Sequence, residues 1–235
     1  MKKFLVVTAL AIFQTLFAQV ETAQKLIVAI APGWNDSTGT LYLFDRSPAG
    51  WKKHRSTWNV SFGRAGLGWG IGLHTIPGGE YQKTEGDRRS PAGIFELGPL
   101  YGLDSSVPEG VRYPYQQITA RTRCVDDSVS RLYNQIVEED FSTKDWSSDE
   151  EMERVDPDYK YVLVVKHNPA NEKGKGSCIF LHIVNTPTTG CTAMNEEDML
   201  TLLRWLDPTK KTLVVQLPHA VYHSMRTAWK LPPLI

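Results

Sequence analysis

Short runs of β-branched and aromatic residues, closed off by glycine or proline, recur along most of this chain and limit it to a strand-built fold. Lys25-Leu-Ile-Val-Ala-Ile-Ala31 reads as a strand ended by Pro32-Gly33. Leu41–Phe44, Trp51 with Trp58–Phe62, and Gly93–Leu97 continue the pattern. Tyr159–Lys166, Ser177–Val184 and Thr212–Leu217 resume it in the second half. A single segment carries a firm helical signature, 195–207. Asn195 is a good N-cap, Glu196, Glu197 and Asp198 fill the first turn, and Met199, Leu202, Leu203 and Leu206 share a face before Pro208. Residues 101–160 are polar and acid-rich, and are expected to form short helical and irregular pieces, an insertion or cap over a sheet edge. The expected fold is a mainly β, β-rich α+β single domain over 19–235, a β-sandwich with one firm helix in its C-terminal half.

Charge narrows the function. Twenty-six Lys and Arg balance 26 Asp and Glu over 235 residues. No broad basic field is available for nucleic acid or for an anionic membrane surface. The alternating glycines at 66, 68, 70 and 72 precede neither Gly-Lys-Ser/Thr nor a helix signal, so they are not a phosphate loop. Lys2-Lys3, the apolar run Phe4–Phe13 and Ala18 have the layout of a secretory signal peptide cut after Ala18. That run is too short to span a bilayer comfortably, and no later stretch reaches its length. An exported, periplasmic chain with no membrane span after cleavage is expected. Of Cys124, Cys178 and Cys191, an odd count leaves at least one thiol unpaired.

The chemistry-bearing segment is His182-Ile-Val-Asn-Thr-Pro-Thr-Thr-Gly-Cys191. His182 ends a strand, and the turn-rich loop 185–190 can fold back to bring Cys191 to it. A free thiol, with pKa about 8.5, is only a few per cent thiolate near neutrality. An imidazole that takes the proton on attack and returns it to the leaving group supplies about 10²–10⁴ in rate. Thr189 and Gly190 would line the oxyanion position, Gly190 permitting close backbone approach. Spacing alone also fits two residues packed in a core.

Several ordered blocks settle which reading to carry forward. They are Lys83-Thr-Glu85-Gly86-Asp87-Arg-Arg-Ser90-Pro91-Ala-Gly93-Ile-Phe95, then Val125-Asp126-Asp127 with Tyr133-Asn134, then Gly176-Ser-Cys-Ile-Phe-Leu-His182, then Thr188-Thr189-Gly190-Cys191 to Met194. Together they resemble the L,D-transpeptidase catalytic domain (YkuD-type), in a divergent branch with Thr-x-Gly-Cys in place of Ser-His-Gly-Cys. The resemblance implies acyl transfer on peptidoglycan stem peptides. Cys191 would be the nucleophile and His182 its base, forming a thioester that passes to a neighbouring stem amine as a 3→3 cross-link or to an outer-membrane lipoprotein amine. Water as acceptor would make the enzyme an L,D-carboxypeptidase, and a non-catalytic peptidoglycan-binding module is the alternative from another class. A thiol hydrolase of unrelated substrates fits the pair but not the other blocks. Neither a metal nor an organic cofactor is implied.

Glu85, Asp87, Asp127 and Asn134 are the candidate substrate-binding residues. Glu85 and Asp87 would take ammonium groups, the alternative being a solvated turn around Gly86. Asp126 and Asp127 read as paired acids or as a surface loop. Cys178 reads as a packed neighbour of the site, with a disulfide to Cys124 as the alternative. His74, His167, His219 and His223 show no ligand spacing. The chain departs from the family pattern at Thr189, where most members have His, at Ala193, where Arg is frequent, and in its short 182–191 loop.

Overall fold

A computed structural model describes residues 20–153 and 157–234. The expected leader over 1–18 lies outside the described residues. Strands dominate, as the patterning requires. β1 (Lys25–Ala31), β2 (Thr38–Ser47), β3 (Gly50–Ser61), β4 (Leu67–Trp69) and the long β5 (Ser90–Gly102) make the first half. β10 (Tyr161–Val165), β11 (Phe180–Ile183), β12 (Thr192–Met194) and β13 (Thr212–Pro218) complete the main sheet, whose order is β10-β11-β12-β3-β2-β1-β13-β5-β4.

β5 makes this path close on itself. Its first part, Gly93–Glu96, pairs with β13, and its second, from Leu97 to Gly102, pairs with β10. One long strand thus belongs to both ends of the sheet, which wraps a continuous apolar core. Leu26, Val28, Leu41, Leu43, Phe62, Phe95, Leu163, Leu181 and Val214 are fully or almost fully buried there. β1 is buried at every position, which is why its sequence runs apolar without alternation.

The helix signal is realised as α1 (Glu196–Trp205), whose first turn is held by the Asn195 side chain accepting from the Asp198 N–H at 2.8 Å. Met199, Leu202 and Leu203 form its buried stripe. A second, short helix, α2 (His219–Met225), follows β13 directly. Its N-cap position is Pro218, which makes no side-chain capping bond, so no capping residue announces it in the sequence.

The insertion differs from expectation. Residues 101–160 hold β6 (Tyr115–Gln117) and a separate antiparallel sheet, β8-β7-β9, built from β7 (Thr122–Val125), β8 (Ile136–Glu138) and β9 (Asp149–Glu151). The only helical piece described in that span is a single 3-10 turn, Pro157–Tyr159. Acid runs that suggested solvated helices instead cross Arg123. Its guanidinium lies 3.4 Å from each of Glu139, Asp149 and Glu151. Cross-strand charge pairing therefore replaces helix formation, and only tertiary register reveals it.

Candidate active site

β11 and β12 run parallel, with Leu181 beside Thr192 and His182 beside Ala193. Continued one residue back, this register sets Cys191 beside Phe180, and the Phe180 N–H donates to Cys191 Sγ at 3.3 Å. Side chains alternate along a strand and agree across neighbours, so Cys191, Phe180 and His182 face the same side of the sheet. Strand spacing and rise place the Cα atoms of Cys191 and His182 roughly 8 Å apart on the diagonal, a gap that two side chains reaching toward each other can close. The other side of β11 carries Ile179, Leu181 and Ile183 into the main core, while Cys178, Phe180 and Cys191 join Tyr159, Met152 and Cys124 in a second apolar cluster.

His182 is oriented from outside its own strand. Its Nδ1 lies 3.3 Å from the Asp158 carbonyl oxygen. A carbonyl only accepts, so Nδ1 carries a proton. Tyr159 packs against the same ring, edge to face, at 5.2 Å between centroids. This partner could not be read from sequence, since a backbone carbonyl leaves no residue-type signature.

The Cys191 main chain is clamped by hydroxyls. Ser90 Oγ and Thr188 Oγ1 donate to its carbonyl at 2.8 and 2.7 Å. Ser90 Oγ also accepts from the Gly63 N–H at 2.9 Å. The Thr188 backbone is tied to the end of β3 through Phe62 and to Arg64. The Gly190 N–H, expected to meet an oxyanion, donates instead to Thr188 Oγ1 at 3.1 Å. The side chains of Thr188 and Ser90 thus fix the bend whose shortness the sequence made plain.

Cys191 is 6% exposed and His182 is 5% exposed, and a cleft opens onto Cys191. That cleft, of about 240 Å³, is lined by Lys83, Glu85, Gly86, Arg88, Asp126, Glu150, Ser177, Thr189, Gly190 and Cys191, among others. Its volume lies below the ~300–1,000 Å³ typical of pockets that enclose a whole small molecule.

The cleft is acidic. Glu85 accepts from Tyr133 Oη and from Ser177 Oγ, the latter at 2.7 Å. Asp126 Oδ1 is buried without a hydrogen-bond partner. Burial pushes the Asp126 carboxyl up, a Ser148 hydrogen bond opposes this, and the Glu85 charge adds to the rise. Among the described residues neither Glu85 nor Asp126 has a cation within ion-pair distance. Arg88, exposed and at φ 60°, supplies positive charge at the rim.

Of the sequence candidates, Cys191, Thr189, Gly190 and Glu85 line the cleft together, while His182 shares the sheet face of Cys191 with its ring against Asp158 and Tyr159. The structure does not bring Asp87, Asp127 or Asn134 to the cleft. Asp87 pairs with the buried Lys83 ammonium at 2.6 Å and accepts from the Thr84 and Arg89 N–H groups. Asp127 closes a surface loop, accepting from Val129 and Ser147. Asn134 accepts from the Cys178 N–H and donates to the His167 and Asn168 carbonyls. Asp126, not Asp127, lines the cleft, as do Arg88 and Glu150, which sequence reasoning passed over. Cys178 fits both readings: it packs beside Cys191 at the cleft and is disulfide-bonded to Cys124, a bond in which Cys191 takes no part.

The family model for the L,D-transpeptidase catalytic domain (YkuD) matches residues 34–215. The chain belongs to that family. No curated protein matches it. Among solved structures, the helical cell shape determining protein Pgp2 from Campylobacter jejuni is similar at 12% identity with a TM-score of 0.40. The match covers 87% of this chain and 54% of that one, so this L,D-transpeptidase-family chain spans about half the length of that protein. No described helix is long and apolar enough to cross a membrane.

Proposed function

We propose that this protein is an exported, periplasmic L,D-transpeptidase that acts on peptidoglycan stem peptides through a Cys191 thioester. The observation that supports the reading is that Cys191 and His182 share one face of adjacent parallel strands, with Cys191 at the wall of a cleft. His182 Nε2 takes the thiol proton as Cys191 Sγ attacks the carbonyl of the diamino acid at stem position three. The proton passes to the departing amine, the C–N bond to the terminal D-alanine breaks, and the thioester remains. An amine of a neighbouring stem, or of an outer-membrane lipoprotein, then attacks the thioester carbonyl. His182 takes that amine's proton, a new amide forms, and the Cys191 sulfur leaves and is reprotonated.

The lining charges support the substrate class. A diamino acid in a stem presents an ammonium and a carboxylate beyond the scissile bond. Glu85 and Asp126 match the first and Arg88 the second. The Phe180 N–H aimed at the sulfur favours negative charge there as the proton leaves. Export is supported by the leader-like 1–18 and by the Cys124–Cys178 disulfide, which persists in an oxidising compartment.

The test is muropeptide analysis after incubating purified protein with isolated sacculi. Stems ending in D-alanine at position four should be consumed and 3→3 cross-linked products should appear, and both changes should be absent with Cys191→Ala. Tripeptide stems alone would assign hydrolysis in place of transfer. Binding to sacculi with neither product would identify a non-catalytic module and overturn the proposal.

A further inference from the structure

The Cys191 sulfur is held by the backbone of the segment that leads into β11. Sγ lies 3.4 Å from the Cys178 carbonyl oxygen, to which the thiol can donate, and accepts from the Phe180 N–H at 3.3 Å. That segment does not hold its shape unaided. Cys178 has φ 55°, a conformation seldom adopted by residues other than glycine and retained only where surroundings impose it. Asn168 Nδ2 donates to the Gly176 carbonyl, Ser177 Oγ to Glu85, and the Val165 N–H to the Ile179 carbonyl, but the contacts at Cys178 itself come from the insertion. The Cys178 N–H donates to Asn134 Oδ1 at 3.0 Å, the Gly176 N–H donates to Tyr133 Oη at 3.0 Å, and the Cys178 side chain is covalently joined to Cys124 in β7. Asn134 is itself pinned, its Nδ2 donating to the His167 and Asn168 carbonyls at 3.1 and 2.9 Å. The insertion therefore grips Cys178, whose carbonyl faces the nucleophile, while Phe180 is held by its pairing with Val164 in β10.

From this arrangement we infer that the Cys124–Cys178 disulfide and Asn134 are positioning residues for Cys191: they hold the Cys178 backbone against its sulfur, so that the thiol keeps its placement only while the disulfide is closed. The inference rests on the nucleophile reading of Cys191. Its chemistry balances with a dithiol reductant. Cys124 and Cys178 take up two electrons and two protons, the S–S bond breaks, and the dithiol becomes a disulfide. The reduced chain keeps Cys191 and His182 but loses the covalent hold on the Cys178 backbone. The site is thereby tied to an oxidising compartment by its geometry, separately from any leader.

The full-length Cys124→Ala/Cys178→Ala protein, which retains Cys191 as its sole cysteine, tests this. Its iodoacetamide alkylation rate would be followed against pH, well below the unfolding temperature, together with turnover of a stem tetrapeptide. The expected result is a fall of at least tenfold in alkylation rate at pH 7, an upward move of the alkylation midpoint, and a fall of at least tenfold in kcat with KM within threefold. Asn134→Ala, with the disulfide intact, should move the same readouts in the same direction. Reduction of the wild-type protein should reproduce the loss at Cys191, read by peptide mass spectrometry, and reoxidation should reverse it. An unchanged pH profile and kcat beside a lowered melting temperature would overturn the inference and leave a purely structural disulfide. Loss of the circular dichroism signature on reduction would do the same. An oxidised wild-type protein that alkylates like a free thiol and turns nothing over would instead remove the nucleophile reading beneath it.

Discussion

Acidification should unfold this protein through two histidines outside the cleft. His74 and His167 are 6% and 2% exposed. The Nδ1 of each accepts a backbone N–H, from Ile94 at 3.1 Å and from Ile71 at 3.2 Å respectively. Each is therefore the neutral Nε2–H tautomer. His167 Nε2 meets the Lys175 carbonyl at 2.9 Å, while His74 Nε2 is buried with no partner. Protonation would drive a second N–H into a backbone donor. Burial is the main cause that lowers each to about 4, and the Lys83 charge adds to it at His167. The unfolded value is about 6.5. A folded-state pKa below the unfolded one gives stability that is whole above about pH 6.5 and lost as pH falls toward 4. Linkage over that window amounts to about 3 kcal/mol per histidine, on the order of 6 for the pair, against total stabilities of about 5–15 kcal/mol. Urea denaturation between pH 7.5 and 4 should show this loss, and His167→Gln should cut proton uptake on unfolding by about one. Both rings contact Phe95, at 5.8 and 6.0 Å between centroids, so the two effects are expected to couple. A stability curve flat from pH 7 to pH 5 would refute the reasoning.

Three further outcomes follow from single contacts. Asp87→Asn leaves the Lys83 ammonium, whose side chain is 4% exposed, without its counter-charge; a loss of about 3–5 kcal/mol in denaturation is expected, whereas a substrate-binding Asp87 would change KM and leave stability alone. Gly93→Ala places a Cβ 1.8 Å from His74 Cε1 at φ 139°, so the variant should lose several kcal/mol or fail to accumulate folded, as read by thermal melting. Asn195→Ala removes the N-cap of α1 and should cost about 1 kcal/mol in the same assay without altering thiol reactivity.

What the sequence disclosed was what local chemistry encodes. The strand runs of β1, β10 and β13 are written in β-branched residues, and α1 in its cap, acids and apolar stripe. The fold-back of 182–191 was visible in its turn residues, although the result is a parallel pair and not a hairpin. β12 was not visible, because three residues after the cysteine carry no pattern until β11 and β3 flank them. The insertion sheet stayed hidden because its polar strands are held by Arg123 and its acid partners, a long-range match of charges. Asp126, the Asp158 carbonyl and the positive φ of Cys178 depend on tertiary placement, so Asp127 looked as good as Asp126 and Asn134 looked like a ligand contact when it is a backbone clamp.

Intact-mass spectrometry of the purified protein mixed with a stem tetrapeptide reads the central claim most directly. A covalent adduct equal to the tetrapeptide less D-alanine is expected, mapped to Cys191, absent from Cys191→Ala and strongly reduced in His182→Ala. An adduct on another residue, or undiminished adduct formation without His182, would contradict it.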